Sequence, residues 1–271
     1  MTNNINSKFW DEICGTARFR SLGLKEISPE SLKKFDSWYM EYYPYLHKYL
    51  PLKQLKDKSV LEIGLGFGTI GEKLFLSAKK YIGVDYAQNP VDLMNLRIKY
   101  RNKNNAARAI RADALSLPFD KETFDFIVSI GCLHHTGDVN KSVQEIYRVL
   151  KPGGQVLVML YNKNSFFRII ILPIRYCLLK IFKKYNKNYD EFVRFCYDSN
   201  SQSQAAPITE FLSGKEIKKI FSNLKFKEIL IRKERFFNVY IPGTRIGIPR
   251  QYLLNNIGKI WGLDFYITAI K

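Results

Sequence analysis

Apolar positions along the 271 residues fall into short runs separated by amphipathic stretches. The runs at 59–63, 81–85, 108–112, 124–130, 154–160, 226–233 and 263–270 predict seven strands, being 5–8 residues long and bounded by turn-forming residues. A helical repeat over 70–78, 88–101, 138–150 and 213–222 predicts helices between them. Strand and helix alternate. That order implies an α/β fold, a Rossmann-like doubly wound sheet covered on both faces.

Two segments fall outside the alternation. Ser31 to Leu50 is helical in pattern and crowded with Phe35, Trp38, Tyr39, Tyr42, Tyr43, Tyr45, Leu46 and Tyr49; Pro44 should kink or end a helix there. Most of these aromatics are expected to pack on the sheet, with one or two tyrosines turned to a pocket. The second segment, 161–212, interrupts the pattern after the fifth strand. Lys163 to Lys187 holds seven basic residues and no acid among many apolar ones. Arg168, Arg175, Lys180 and Pro173 make it a poor membrane span. It suits a substrate cap, a segment lying on an anionic membrane surface, or a dimer contact. The polar stretch from Tyr197 to Thr209 should return the chain over the pocket before a helix at Ser213. A further connection, 234–262, contains Pro242, Gly243 and Pro249.

The chemistry concentrates in Val60-Leu61-Glu62-Ile63-Gly64-Leu65-Gly66-Phe67-Gly68-Thr69. A strand enters an acid, then a turn with glycine at every second position, then a helix. Such a turn lets a ligand approach the backbone at the carboxyl end of a strand. Asp85 ends the next strand about 20 residues on, the spacing at which a carboxylate meets ribose hydroxyls. A dinucleotide site normally shows G-x-G-x-x-G; Gly64-x-Gly66-x-Gly68 preceded by Glu62 is a different pattern.

Further motifs follow in order: Ala112-Asp113-Ala114, Leu117-Pro118-Phe119, the strand Thr123 to Ser129, Leu133-His134-His135, and Arg148-Val149-Leu150-Lys151-Pro152-Gly153-Gly154. Together they resemble the class I S-adenosylmethionine-dependent methyltransferases, in the branch that includes the ubiquinone and menaquinone C-methyltransferases. The resemblance covers about residues 58–160. It implies a seven-stranded sheet whose last strand, Leu263–Ile270, is an antiparallel edge strand. It also implies S-adenosylmethionine as cofactor and S-adenosylhomocysteine as product. Carried over by position, Glu62 orients the loop or meets the methionine amino group, and Gly64, Gly66 and Gly68 shape the loop. Asp85 takes the ribose hydroxyls and Tyr86 flanks the adenine. Asp113, with Ala114 beside it, takes the adenine amino group, while Ser129, Ile130 and Gly131 line the pocket. For the acceptor side, His134, His135 and Tyr161 are the candidate catalytic groups. A structural role is the alternative for each, and no metal-ligating cluster stands out.

The expected organisation is an N-terminal helical lid (1–57), a cofactor-binding core (58–160), the basic apolar insertion as a cap (161–212), and completion of the core sheet (213–271). The expected function is methyl transfer to a small-molecule or lipid- or glycan-linked metabolite. Charge supplies the alternative. The net charge is +18, and residues 151–271 hold 21 Lys+Arg against 8 Asp+Glu. That excess could serve RNA binding or RNA modification, an anionic membrane surface or an anionic substrate. Compositional drift in a Lys-, Asn- and Ile-rich chain explains it equally well. No aromatic-basic module or basic tail supports the nucleic-acid reading. Four scattered cysteines, Cys14, Cys132, Cys177 and Cys196, and an N-terminus without an apolar stretch point to a cytoplasmic protein, peripheral at a membrane if the insertion docks there.

Overall fold

The computed structural model describes residues 2–101, 106–240 and 247–271. Its centre is one seven-stranded sheet. In chain order the strands are β1 (Ser59–Ile63), β2 (Lys80–Asp85), β3 (Ala106–Arg111), β4 (Phe124–Ile130), β5 (Leu150–Tyr161), β6 (Lys227–Glu234) and β7 (Asp264–Ile270). They lie in the order β3-β2-β1-β4-β5-β7-β6. The strands from β3 to β5 pair in parallel; β7 runs antiparallel to both neighbours. The antiparallel strand therefore lies at the expected side of the sheet but one place in, with β6 outside it. Strand order reverses between β1 and β4, which opens a crevice beyond their carboxyl ends.

Three helices precede the sheet: α1 (Thr2–Asp11), α2 (Thr16–Ser21) and α3 (Pro29–Tyr42). Neither α1 nor α2 carried a sequence signal strong enough to predict. Ser28 starts α3, accepting from Ser31 N at 3.2 Å, with Pro29 in the first turn. The helix ends at Tyr42, just before Pro44. The aromatics then divide. Phe35, Trp38, Tyr39 and Tyr43 face the crevice, whereas Tyr45 and Tyr49 pack in the core against Tyr266, at 5.3 and 4.9 Å between ring centroids. Two tyrosines turn to the crevice, as the pattern suggested, and Phe35 and Trp38 join them.

The core helices are α4 (Thr69–Ser77), α5 (Gln88–Arg101), α6 (Val139–Val149) and α9 (Gly214–Asn223). Apolar side chains of α4 and α5 fill one face of the sheet; those of α6 and α9 fill the other. The 161–212 segment contains a π-helical turn (Phe167–Ile171), α7 (Leu172–Ile181) and α8 (Tyr189–Tyr197), which pack on each other through Leu172, Phe192 and Val193. Two short helices, α10 (Arg250–Leu254) and α11 (Ile257–Trp261), lead into β7. Pro242 and Gly243 lie outside the described residues.

A buried ion network fixes α3 to the core. Arg97 of α5 is 1% exposed and meets Asp36 of α3 at 2.9 Å and Glu72 of α4 at 2.7 Å. Thr69 donates to Asp36 at 2.6 Å. Phe35 of α3 stacks on Phe67 of the glycine turn at 4.4 Å. The helix is thereby held against the loop that the motif singled out.

Candidate active site

A cavity of about 470 Å³ fills the crevice beyond β1, β2 and β4. The glycine turn forms its floor. Gly64 N donates to Val84 O at 2.8 Å, and Gly68 N to Leu65 O at 2.8 Å. Gly64 has φ +85, and a Cβ there would overlap the side chain of Cys132, with Sγ 2.8 Å away. A Cβ on Gly66, φ +49, would meet nothing closer than the Cys14 carbonyl at 4.0 Å, so the backbone at this point lies open to the cavity.

Acids surround the turn. The Asp85 carboxylate accepts Leu65 N at 2.8 Å through Oδ2 and Ala87 N at 3.0 Å through Oδ1. Burial raises its pKa, and those backbone donors oppose only part of the rise. Each oxygen keeps a lone pair for a ligand. Glu62 is 4% exposed and accepts a hydrogen bond from Tyr81. Burial pushes its carboxyl up to about 8, against the opposing effect of that bond. Asp113 Oδ1 accepts Leu115 N at 2.8 Å, and Asp113 and Ala114 both line the cavity. Tyr86, Ile130 and Gly131 line it too. Ser129 does not: it is fully buried, and its hydroxyl donates to Ile63 O at 2.9 Å, tying β4 to β1 behind the wall.

The far end is aromatic and polar. Trp10, Tyr39, Tyr43, Tyr161, Tyr197 and Tyr266 line it, with His135, Asp198 and Arg235. Tyr161 donates to Asp198 Oδ2 at 2.8 Å, and His135 Nε2 lies 3.5 Å from the same oxygen. His135 Nδ1 is 2.7 Å from Ile208 O, and the Trp10 ring lies over the imidazole at 4.5 Å. Arg235 pairs with Asp264 at 3.1 Å; burial raises Asp264 to about 7, with Arg235 opposing. Arg235 adopts φ +59, a sparsely populated conformation for a non-glycine residue.

His134 requires a correction. Its ring is fully buried, packs tilted against Tyr161 at 3.9 Å between ring centroids and does not line the cavity. Burial, then His135 and Arg235, drive its pKa well down. It is a packed neutral ring, out of reach of an acceptor. Tyr161 lines the cavity, but burial and Asp198 raise its phenol well above the usual range, so it serves as a donor there. Asp198, Arg235 and Trp10 were missed. They come from the end of α8, the turn after β6 and α1, and no motif marks them; only the return of residues 197–209 over the pocket was foreseeable.

The family described as "Methyltransferase domain" matches residues 61–158, the stretch that supplies the turn, Asp85 and Asp113. Ubiquinone biosynthesis O-methyltransferase of Pseudomonas putida (strain GB-1) is 27% identical over 157 residues, covering 55% of this chain and 67% of that protein. Residues 61–158 thus form a methyltransferase domain of the S-adenosylmethionine-dependent kind. Phosphoethanolamine N-methyltransferase 2 of Caenorhabditis elegans is 30% identical over 108 residues, 40% of the methyltransferase and 24% of that relative. Among solved structures, the YcgJ protein of Bacillus subtilis shares the fold with TM-score 0.55 and 22% identity over 84% of this methyltransferase and 98% of that chain.

The cavity suits the cofactor. Its volume falls in the range of small-molecule sites. The backbone is open at Gly66, and the carboxyls of Glu62, Asp85 and Asp113 border that end. Among the described residues no helix is long and apolar enough to cross a membrane.

Proposed function

We propose that the methyltransferase moves a methyl group by in-line displacement to a small-molecule or lipid- or glycan-linked metabolite seated at the aromatic end of the cavity. One observation carries this reading: a single cavity joins the acids around the glycine turn to a second end of different chemistry, bearing His135, Asp198 and Tyr161. S-adenosylmethionine supplies an electrophilic methyl on a sulfonium. The protein's task is then to align the nucleophile, exclude water and take up a proton where the nucleophile carries one.

In this reading Asp85 accepts the ribose hydroxyls and Tyr86 flanks the adenine. Asp113 accepts the adenine amino group beside Ala114. Glu62 faces the methionine amino group, while Ile130 and Gly131 complete the wall. Residues 1–57 act as a lid and 161–212 as a cap. Their meeting supports that division: Ser201 donates to Glu12 from its backbone at 3.0 Å and its hydroxyl at 2.8 Å. A small acceptor is supported by the two relatives, named as an O-methyltransferase of ubiquinone biosynthesis and an N-methyltransferase of phosphoethanolamine.

Asp113 supplies the test of the cofactor reading. Asp113→Ala should weaken S-adenosylhomocysteine by roughly tenfold, about one hydrogen bond to a charged group. It should weaken the inosine-type analogue, which lacks the amino donor, much less. Calorimetry with both ligands decides; equal losses would reject the role.

Peripheral membrane contact is part of the same proposal. Along the π-helical turn and α7, Ile170, Ile174, Leu178 and Ile181 are 41, 57, 50 and 71% exposed and recur every three or four residues. Basic residues and no acids flank this stripe. A two-fold contact between copies would set cations against cations, whereas an anionic bilayer complements them. Changing Arg175 and Lys180 to Gln should weaken binding to phosphatidylglycerol vesicles about 30-fold, at about 1 kcal/mol per cation. S-adenosylhomocysteine affinity should stay unchanged. Absence of wild-type vesicle binding in sedimentation would refute the contact.

A further inference from the structure

We infer that His135 is the base for a hydroxyl acceptor and that Asp198 is its positioning residue; the inference rests on the methyltransferase reading above. The geometry carries it. Ile208 O can only accept, so the 2.7 Å contact requires a proton on Nδ1 of His135. In the neutral ring Nε2 is then the bare nitrogen, enclosed and without a hydrogen-bond partner on a residue that lines the cavity. Its neighbour is the Asp198 carboxylate at 3.5 Å, where a lone pair would oppose a negative charge unless a proton lies between them. An acceptor hydroxyl supplies that proton. Tyr161 holds the carboxylate in place at 2.8 Å, Asn6 of α1 holds the His135 carbonyl at 2.9 Å, and Trp10 covers the ring. Three parts of the chain thus converge on one imidazole: the lid, the turn after β4, and the cap.

The step balances without another reactant. The acceptor oxygen forms its bond to the methyl carbon as the sulfur–methyl bond breaks and that electron pair returns to sulfur. The hydroxyl proton passes to Nε2, and Asp198 stabilises the imidazolium. The charged or titratable groups around His135 are Asp198 after α8, Tyr161 of β5, His134 beside it, Arg235 after β6 and Cys14 between α1 and α2. Of these, Asp198 is the carboxylate in contact with Nε2. A thiol that is already ionised, by contrast, needs no base.

Two measurements test the inference. Nitrogen NMR of ¹⁵N-histidine protein should show His135 as the Nδ1–H tautomer at alkaline pH, identified by its loss in His135→Gln. An Nε2–H tautomer overturns the proposal whatever the acceptor. Methyl transfer from S-adenosylmethionine is then followed to matched probes on one ring, catechol and its monothiol counterpart. Asp198→Asn should lower kcat for catechol roughly 100-fold, the low end for general-base catalysis. It should leave the thiolate reaction within about threefold, on the same ground that no proton is transferred. Equal loss on both probes makes Asp198 merely structural; methylation of the thiol alone by wild type, or of neither probe, overturns the hydroxyl assignment. Calorimetry with S-adenosylhomocysteine separates the two readings. Retained affinity in Asp198→Asn leaves the cofactor site intact whichever way the base assignment falls; loss of that affinity in wild-type protein would remove the methyltransferase reading itself.

Discussion

Asp85→Ala should bind S-adenosylhomocysteine about 3 kcal/mol more weakly than wild type, a loss of roughly 150-fold. Two hydrogen bonds from ribose hydroxyls to a buried carboxylate are worth roughly 1.5–3 kcal/mol each, and water admitted to the site restores part of that. The Leu65 and Ala87 amides use one acceptor position on each oxygen, so the substitution also frees two backbone donors. The glycine turn should loosen with it. Asp85→Asn separates the effects: its single carbonyl oxygen can still accept the Leu65 amide, but the charge is gone. Calorimetry should place Asn between Ala and wild type, while the thermal midpoint of Asn stays closer to wild type. Wild-type affinity in Asp85→Ala would remove Asp85 from the cofactor site.

The sheet and the glycine turn with its neighbouring acids could be read from the sequence because both depend on contiguous residues. Each strand is a local apolar run, and the span of β4 matches its prediction at 124–130. The spacing from the glycine turn to Asp85 is set by one helix and one strand, so it survives folding as a fixed distance in sequence. The far end of the cavity has no such ruler. His135 and Asp198 meet across 63 positions, and Arg235 arrives from the turn after β6. Side-chain periodicity within one element carries no information about such meetings. Adjacent His134 and His135 show the same limit. They look equivalent in sequence, yet the short 3₁₀ turn Leu133–His135 sends one ring into the core against Tyr161 and the other to the cavity. The placement of β7 one strand in from the edge was likewise set by where β6 pairs.

Asp36→Ala should destabilise the fold by about 3 kcal/mol, the lower end for breaking a buried ion pair by removing one partner. Arg97 would remain 1% exposed with only Glu72 to neutralise it, and Glu72 also meets Arg101. Thr69 would lose the acceptor of its hydroxyl at the start of α4. The expected fall in thermal midpoint is roughly 6–12 °C for a domain of this size. Because α3 carries Phe35 onto Phe67 of the glycine turn, S-adenosylhomocysteine affinity should fall as well. A compensating variant tests the cause. Asp36→Ala combined with Arg97→Met removes the stranded charge, and it should recover part of the lost stability, since replacing both members of a buried pair by apolar groups costs far less than removing one. If the double variant is no more stable than Asp36→Ala, the loss comes from α3 packing and the Thr69 bond. The Arg97 charge would then not be what fixes the N-terminal helix to the glycine-turn end of the cavity.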